Sequence, residues 1–222
     1  MFDLIILDLD GTLYDLEDVL AGVYSSQVEF LMQKWNKPKE EVVAFLTENH
    51  VYPYRSKDSQ SATELFMRMG IDKDEWTAWR NSHFDEKKIN TGNAVKESVI
   101  EQLAGIAPLV LLSSNVREVI ERILNHIGIN PLLFTDIWCS DRNLITGPFD
   151  KLSAMQCIAK RYRVEPNRIL SIGDRYKTDI VPALQIGAKG ILLKGPNYLL
   201  RVCETLEKGH LATNQWFDYY EK

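Results

Sequence analysis

Short apolar runs at 4–7, 108–112, 137–138, 169–172 and 190–193 constrain this chain most, because they are continuous rather than alternating. A strand with one wet face alternates apolar and polar residues; a strand covered on both faces of a parallel sheet does not. Between the runs lie patterns of helical period. Val95, Val99, Ile100 and Leu103 mark one, and Val119, Ile120, Ile123, Leu124 and Ile127 another, stopped by Gly128. Leu152, Met155, Ile158 and Ala159 mark a third, and Ile180, Ala183, Leu184 and Ile186 a fourth, stopped by Gly187. Strand and helix in alternation over 1–14 and 91–222 predict an α/β core with a doubly wound, Rossmann-like parallel sheet.

Residues 15–90 break this rhythm. Leu16, Val19, Leu20, Val23, Leu31 and Trp35 predict one amphipathic helix, and Val42, Val43, Phe45 and Leu46 a second, starting near Pro38. Ser61 to Glu64 reads as a capping box before Leu65, Phe66 and Met69, with Gly70 as the stop. Asp72 can cap a fourth helix through Trp76, Trp79 and Phe84. With no strand in sight, the stretch is expected to be an all-helical domain inserted in a discontinuous core, its own core built on Trp35, Trp76 and Trp79.

Composition narrows the partners. Hydrophobic residues make up 45% of the 222 and charged residues 26%, as in an ordinary globular domain. The 26 lysines and arginines against 31 aspartates and glutamates leave a net charge of −5, which excludes a bulk basic field for nucleic acid or anionic membrane. No apolar run approaches the ~20 residues of a membrane span, and the acidic N-terminus does not resemble a signal peptide. Cys139, Cys157 and Cys203 form no CxxC pair and read as reduced thiols. His50, His83, His126 and His210 carry no metal-ligand spacing. The expectation is a cytoplasmic protein, monomer or homodimer.

Four segments carry chemistry. In Leu4 to Thr12 a buried strand delivers Asp8 and Asp10 at its C-terminal end, where open α/β sheets bind ligands. Two residues apart, their side chains would face opposite ways in a regular strand, but Gly11 permits a sharp turn that brings Asp10 round. Ser113, Ser114 and Asn115 end a second strand and open a helix, the makings of an anion site or of a plain helix cap. Lys151 precedes another helix, after Thr146 to Asp150. The run Ser171 to Asp179 places Asp174 and Asp179 at a third strand end.

Taken in order, strand–DxDGT, helical insertion, strand–SN, lysine and strand–GDxxxxD, the chain resembles the haloacid dehalogenase-like hydrolases over 3–193, with the insertion similar to the family's all-helical C1 cap. The resemblance implies phosphoryl transfer through an aspartyl phosphate. Asp8 would be the nucleophile and Asp10 the general acid and then general base. Mg²⁺ would be bound by Asp8, the backbone carbonyl of Asp10 and Asp174, with Asp179 in reach directly or through water. Ser114 and Asn115 would hold the phosphate, and Lys151 would neutralise charge on the phosphoryl group and on Asp8. Ser113 competes with Ser114, and Lys177 with Lys151, since Leu152 stands where the family often has a proline.

The implied substrate is a small phosphorylated metabolite, with neither nucleic acid nor membrane as partner. Dehalogenases of the family lack an acid two residues after the nucleophile, so Asp10 argues against that reaction. A phosphomutase, a nucleotidase-specific member, hinted at by Leu13-Tyr14, and a non-catalytic phosphate- and metal-binding module remain as alternatives. Tyr52, Tyr54, Arg55 and Lys57 lie in an insertion loop where they could stack on a ring or bind an anion. The tail, with Trp216, Phe217, Tyr219 and Tyr220, is more aromatic than a free end needs and is expected to pack on the core or at a dimer contact.

Overall fold

A computed structural model describes residues 2–54, 60–141, 149–209, 211–215 and 217–221. By its internal contacts the chain divides into two compact units, Met1–Asp15 with Ile89–Lys222, and Leu16–Lys88.

In the first unit, six described strands form one sheet in the order β3-β2-β1-β4-β5-β6. These are β1 (Leu4–Leu7), β2 (Leu109–Leu112), β3 (Asp136–Trp138), β4 (Ile169–Gly173), β5 (Lys189–Leu193) and β6 (Phe217–Tyr220). The first five run parallel, with Ile5 opposite Leu109 on one side of β1 and Leu4 opposite Ile169 on the other. All residues of β1, β2 and β4 are buried, which accounts for their unbroken apolar character.

The sixth strand departs from the expected all-parallel sheet. The aromatic tail packs on the core as an antiparallel edge strand, Gly190 opposite Tyr220 and Leu193 opposite Phe217, whose side chain is fully buried. Ion pairs Lys189–Glu221 and Lys194–Asp218, both 3.1 Å, join β5 to this segment.

Helices connect the strands: α5 (Glu97–Ile106), α6 (Arg117–Ile127), α7 (Lys151–Tyr162), α8 (Val181–Ile186) and α9 (Leu199–Lys208), numbered after four in the other unit. Ala154, Met155 and Ile158 of α7 and Ala183 of α8 pack on Leu4, Ile6, Val110, Leu112 and Ile169. Gly128 and Gly187 end α6 and α8 in the left-handed conformation, as read from the sequence. The fourth expected helix differs, because a π-helical turn, Tyr176–Ile180, precedes α8.

The second unit holds α1 (Glu17–Trp35), α2 (Lys39–Glu48), α3 (Ala62–Arg68) and α4 (Lys73–His83), without a strand among its described residues. Ser61 accepts the Glu64 amide and Asp72 the amides of Asp74 and Glu75, the two caps that their spacing implies. Phe30, Leu31, Val42, Leu46, Phe66 and Trp76 lie in its core, where Phe66 and Trp76 meet edge to face at 4.9 Å. Trp35 and Trp79 pack partly buried against it. Among the described residues no helix is long and apolar enough to cross a membrane.

Candidate active site

The sheet order reverses direction at β1, since β2 and β3 lie to one side of it and β4 and β5 to the other. In an open α/β sheet such a switch leaves a crevice at the carboxyl ends of the strands. Asp8, Asp10, Ser113, Ser114, Asn115, Asp174 and Asp179 follow the ends of these strands, and Lys151 opens α7.

Asp8 directly follows β1 and is 6% exposed. Lys151, the first residue of α7, donates to Asp8 Oδ1 at 2.6 Å and to Asp179 Oδ1 at 2.7 Å. Lys177 is exposed, so the lysine that reaches the acids is Lys151. Its placement begins locally: Asp150 caps α7 by accepting the Ser153 amide at 2.8 Å, which sets where the helix starts.

Asp179 is 1% exposed and sits in the π-helical turn. The extra residue of such a turn re-aims a side chain, and here Asp179 Oδ2 accepts the Arg175 amide at 2.8 Å while its backbone carbonyl accepts the Ser171 hydroxyl at 3.0 Å. The carboxylate lies almost on Gly173. A Cβ at residue 173 would come within 2.4 Å of Asp179 Oδ2, so the glycine is required by close approach.

Asp8, Asp174 and Asp179 each bring a carboxylate oxygen within 4.8 Å of the others. Burial pushes the Asp8 carboxyl up to about 8 against the pull of Lys151, with Asp179 and Asp10 adding repulsion. For Lys151 burial works the other way, but Asp8 and Asp179 outweigh it and hold the ammonium above the usual lysine range. An all-oxygen donor set of this kind suits a hard divalent cation such as Mg²⁺.

Asp10 stands apart from this cluster. Gly11, at φ +77°, turns the chain, and Asp10 and Tyr14 form an isolated backbone bridge. The Asp10 carboxylate accepts from Asn115 Nδ2 at 3.1 and 2.9 Å, from Ser113 Oγ at 3.4 Å and from the Tyr14 hydroxyl. Its carboxylate thus faces neutral donors, while the Asp8 carboxylate faces a cation.

At the second strand end the three side chains face different surroundings. Ser113 is fully buried and faces Asp10, whereas Ser114 is exposed and Asn115 holds Asp10. The Arg117 amide of α6, a candidate anion donor, is already bonded to Asp141 Oδ1 at 3.0 Å. Residue type also gave Tyr14 no place beside Asp10, only a hint of a nucleotidase-specific member. Its hydroxyl on Asp10 has a sequence signal only in the spacing, four residues on with Gly11 between.

Tyr52 and Tyr54 stack at 5.4 Å with Tyr54 exposed, but Arg55 and Lys57 lie outside the described residues, as do Thr146, His210 and Trp216. None of the three cysteines is in a disulfide.

The family model of haloacid dehalogenase-like hydrolases matches residues 2–187. No curated protein sequence matches the chain. Among solved structures, a haloacid dehalogenase-like family hydrolase from Streptococcus pneumoniae is similar at 16% identity and a TM-score of 0.58, covering 94% of this chain and 99% of its own. A 2-haloacid dehalogenase from Pseudomonas syringae is 19% identical with a TM-score of 0.55, over 95% and 100%. A phosphatase from Thermococcus onnurineus is 17% identical with a TM-score of 0.55, over 86% of each chain. At these identities the likeness is one of fold.

Proposed function

Because this chain belongs to the haloacid dehalogenase-like hydrolase family, we propose that it is an Mg²⁺-dependent phosphatase acting on a small phosphomonoester through an aspartyl phosphate. The observation that carries the reading is the division of labour between two carboxylates: Asp8 bonded to Lys151 at 2.6 Å, Asp10 held by Asn115 at 2.9 Å. One is placed beside a cation to meet an anionic centre, the other among neutral donors to exchange a proton.

In the first step an Asp8 oxygen attacks phosphorus, the bond from phosphorus to the leaving oxygen breaks, and Asp10 supplies that oxygen with a proton. In the second, water attacks phosphorus and gives its proton to Asp10. The bond to Asp8 breaks, freeing inorganic phosphate and restoring the carboxylate. Lys151 neutralises charge on Asp8 and on the phosphoryl oxygens throughout, and Asp179 holds the ammonium in place. Ser114, exposed at the end of β2, binds a phosphate oxygen, while Asn115 keeps Asp10 oriented.

Mg²⁺ would be held by Asp8, Asp174 and the Asp10 carbonyl, with Asp179 close by, and supplies charge neutralisation between the nucleophile and the phosphate dianion. The 16–88 unit serves as the cap whose residues select the leaving group. Asp10 favours this over dehalogenation, in which no proton need be given to the departing group.

The test is phosphate release from p-nitrophenyl phosphate in Mg²⁺ and in EDTA. Turnover that needs the metal and disappears in Asp8→Asn is expected; folded protein inactive in both conditions, or an Asp8→Asn variant as active as wild type, counts against it.

A further inference from the structure

We propose that Tyr14 is a positioning residue: with Asn115 it clamps the Asp10 carboxylate in the orientation from which that group reaches the leaving oxygen. The inference rests on the acid role assigned to Asp10 above and adds a residue to which the four motifs give no part.

Tyr14 is fully buried. Packing alone would be served by phenylalanine, because a buried phenol without a partner costs the desolvation of its hydroxyl. Here the hydroxyl is bonded to Asp10 Oδ1. Its approach is set by the backbone: Gly11 turns the chain, the Leu13 amide donates to the Leu9 carbonyl at 2.9 Å, and the Leu13 carbonyl accepts the Val95 amide at 2.8 Å.

Asn115 comes from the other side, at the end of β2, and donates to both Asp10 oxygens. Ser113 adds a longer bond to Oδ2 at 3.4 Å and is itself fixed by the Asn115 amide at 3.1 Å. Donors from two chain segments therefore hold the carboxylate, and rotating it about either side-chain torsion breaks bonds to both. A carboxyl group so restrained presents its proton in one direction, and general acid catalysis depends on that geometry before anything else.

Leaving-group dependence separates positioning from packing. Phenyl and p-nitrophenyl phosphate have nearly the same shape, but only the phenolate oxygen of the former needs much help from an acid. Tyr14→Phe, checked for folding by circular dichroism, should lose on the order of tenfold more kcat on phenyl phosphate than on p-nitrophenyl phosphate, with KM nearly unchanged. Adding Tyr14→Phe to Asp10→Asn should cost little more. Equal losses on the two esters, or the same loss in the Asp10→Asn background, would overturn the clamp.

If wild-type protein hydrolyses neither ester, the phosphatase reading fails instead, and a thermal double-mutant cycle decides the clamp alone. Tyr14→Phe should then lower Tm less in the Asp10→Asn background than in wild type. An equal shift in both overturns it.

Discussion

Replacing Gly173 with alanine adds a single methyl group where the structure has no room for it. The new Cβ would stand 2.4 Å from Asp179 Oδ2 and 2.5 Å from both Cγ and Cβ of the same residue. Carbon atoms in contact prefer about 3.5–4.0 Å, so one side must yield by roughly 1 Å. Rotating the Asp179 side chain does not suffice, because its Cβ is among the clashing atoms. Its backbone is tied by the Asp179 amide on the Arg175 carbonyl at 2.9 Å and by Ser171 on its own carbonyl at 3.0 Å.

Overpacking of this kind costs about 1–3 kcal/mol. Pulling Asp179 from Lys151 or from the Arg175 amide forfeits a hydrogen bond to a charged group, about 1.5–3 kcal/mol. Together the loss is about 2.5–6 kcal/mol, which for a domain of this size lowers Tm by on the order of 10 °C. A shift of about 1 Å in the groups that hold Lys151 also predicts a fall in turnover of about 100-fold. Gly22→Ala is the control. It lies inside α1 with nothing within 4 Å of an added Cβ, so alanine there should stabilise by about 1 kcal/mol. Differential scanning calorimetry with p-nitrophenyl phosphate kinetics reads both effects. A Gly173→Ala protein with wild-type Tm and turnover would refute the packing argument.

Lys151→Met removes the ammonium that pairs with both Asp8 and Asp179. Stranding buried carboxylates in this way costs about 3–5 kcal/mol, so Tm in EDTA should fall and Mg²⁺ should recover part of it; an unchanged Tm in EDTA would mean the pairs contribute nothing. Asp150→Ala removes the α7 cap and should cost about 1 kcal/mol at pH 7 by urea unfolding. Hydrogen bonds from Ser153 hold the Asp150 carboxyl below its ordinary value. A depressed folded pKa contributes stability above the unfolded value of about 3.9, lost as pH falls through the folded one. The deficit of the variant should therefore shrink below about pH 4, and a deficit constant down to pH 2 would contradict the carboxylate as its source.

The five parallel strands were legible because burial on both faces leaves an unbroken apolar run, as in Leu4–Leu7 and Leu109–Leu112. Strand β6 was not. Phe217–Tyr220 reads FDYY, one buried ring followed by residues only partly covered, and its register comes from β5 rather than from any pattern of its own. The site shows the same division. Residue types and their positions at strand ends marked Asp8, Asp10, Asp174 and Asp179, and the order of the motifs marked Lys151 just before a helix. Which side chains face one another depends on backbone turns that residue types do not encode. Ser113 and Ser114 are neighbours, and successive residues at a strand end point to opposite sides, so choosing between them is a statement about geometry. Tyr14 reaches Asp10 only because Gly11 adopts φ +77°, which a run of letters permits but does not require.

The central place of β1 bears on the order in which the molecule can assemble. Its two neighbours are β2 and β4, so Ile5 waits for Leu109 and Leu4 for Ile169. Closing loops of that length costs entropy before any pairing rewards it. The core cluster of 16–88, by contrast, is built from residues of that segment. On a ribosome, the strand that leads into Asp8 is made before both strands it pairs with, and pulsed hydrogen exchange during refolding should show the amides of α1 and α4 protected before those of Leu4–Leu7. Until β4 emerges, Asp8 has no Asp174 or Asp179 beside it; the charged cluster comes together only when the sheet does.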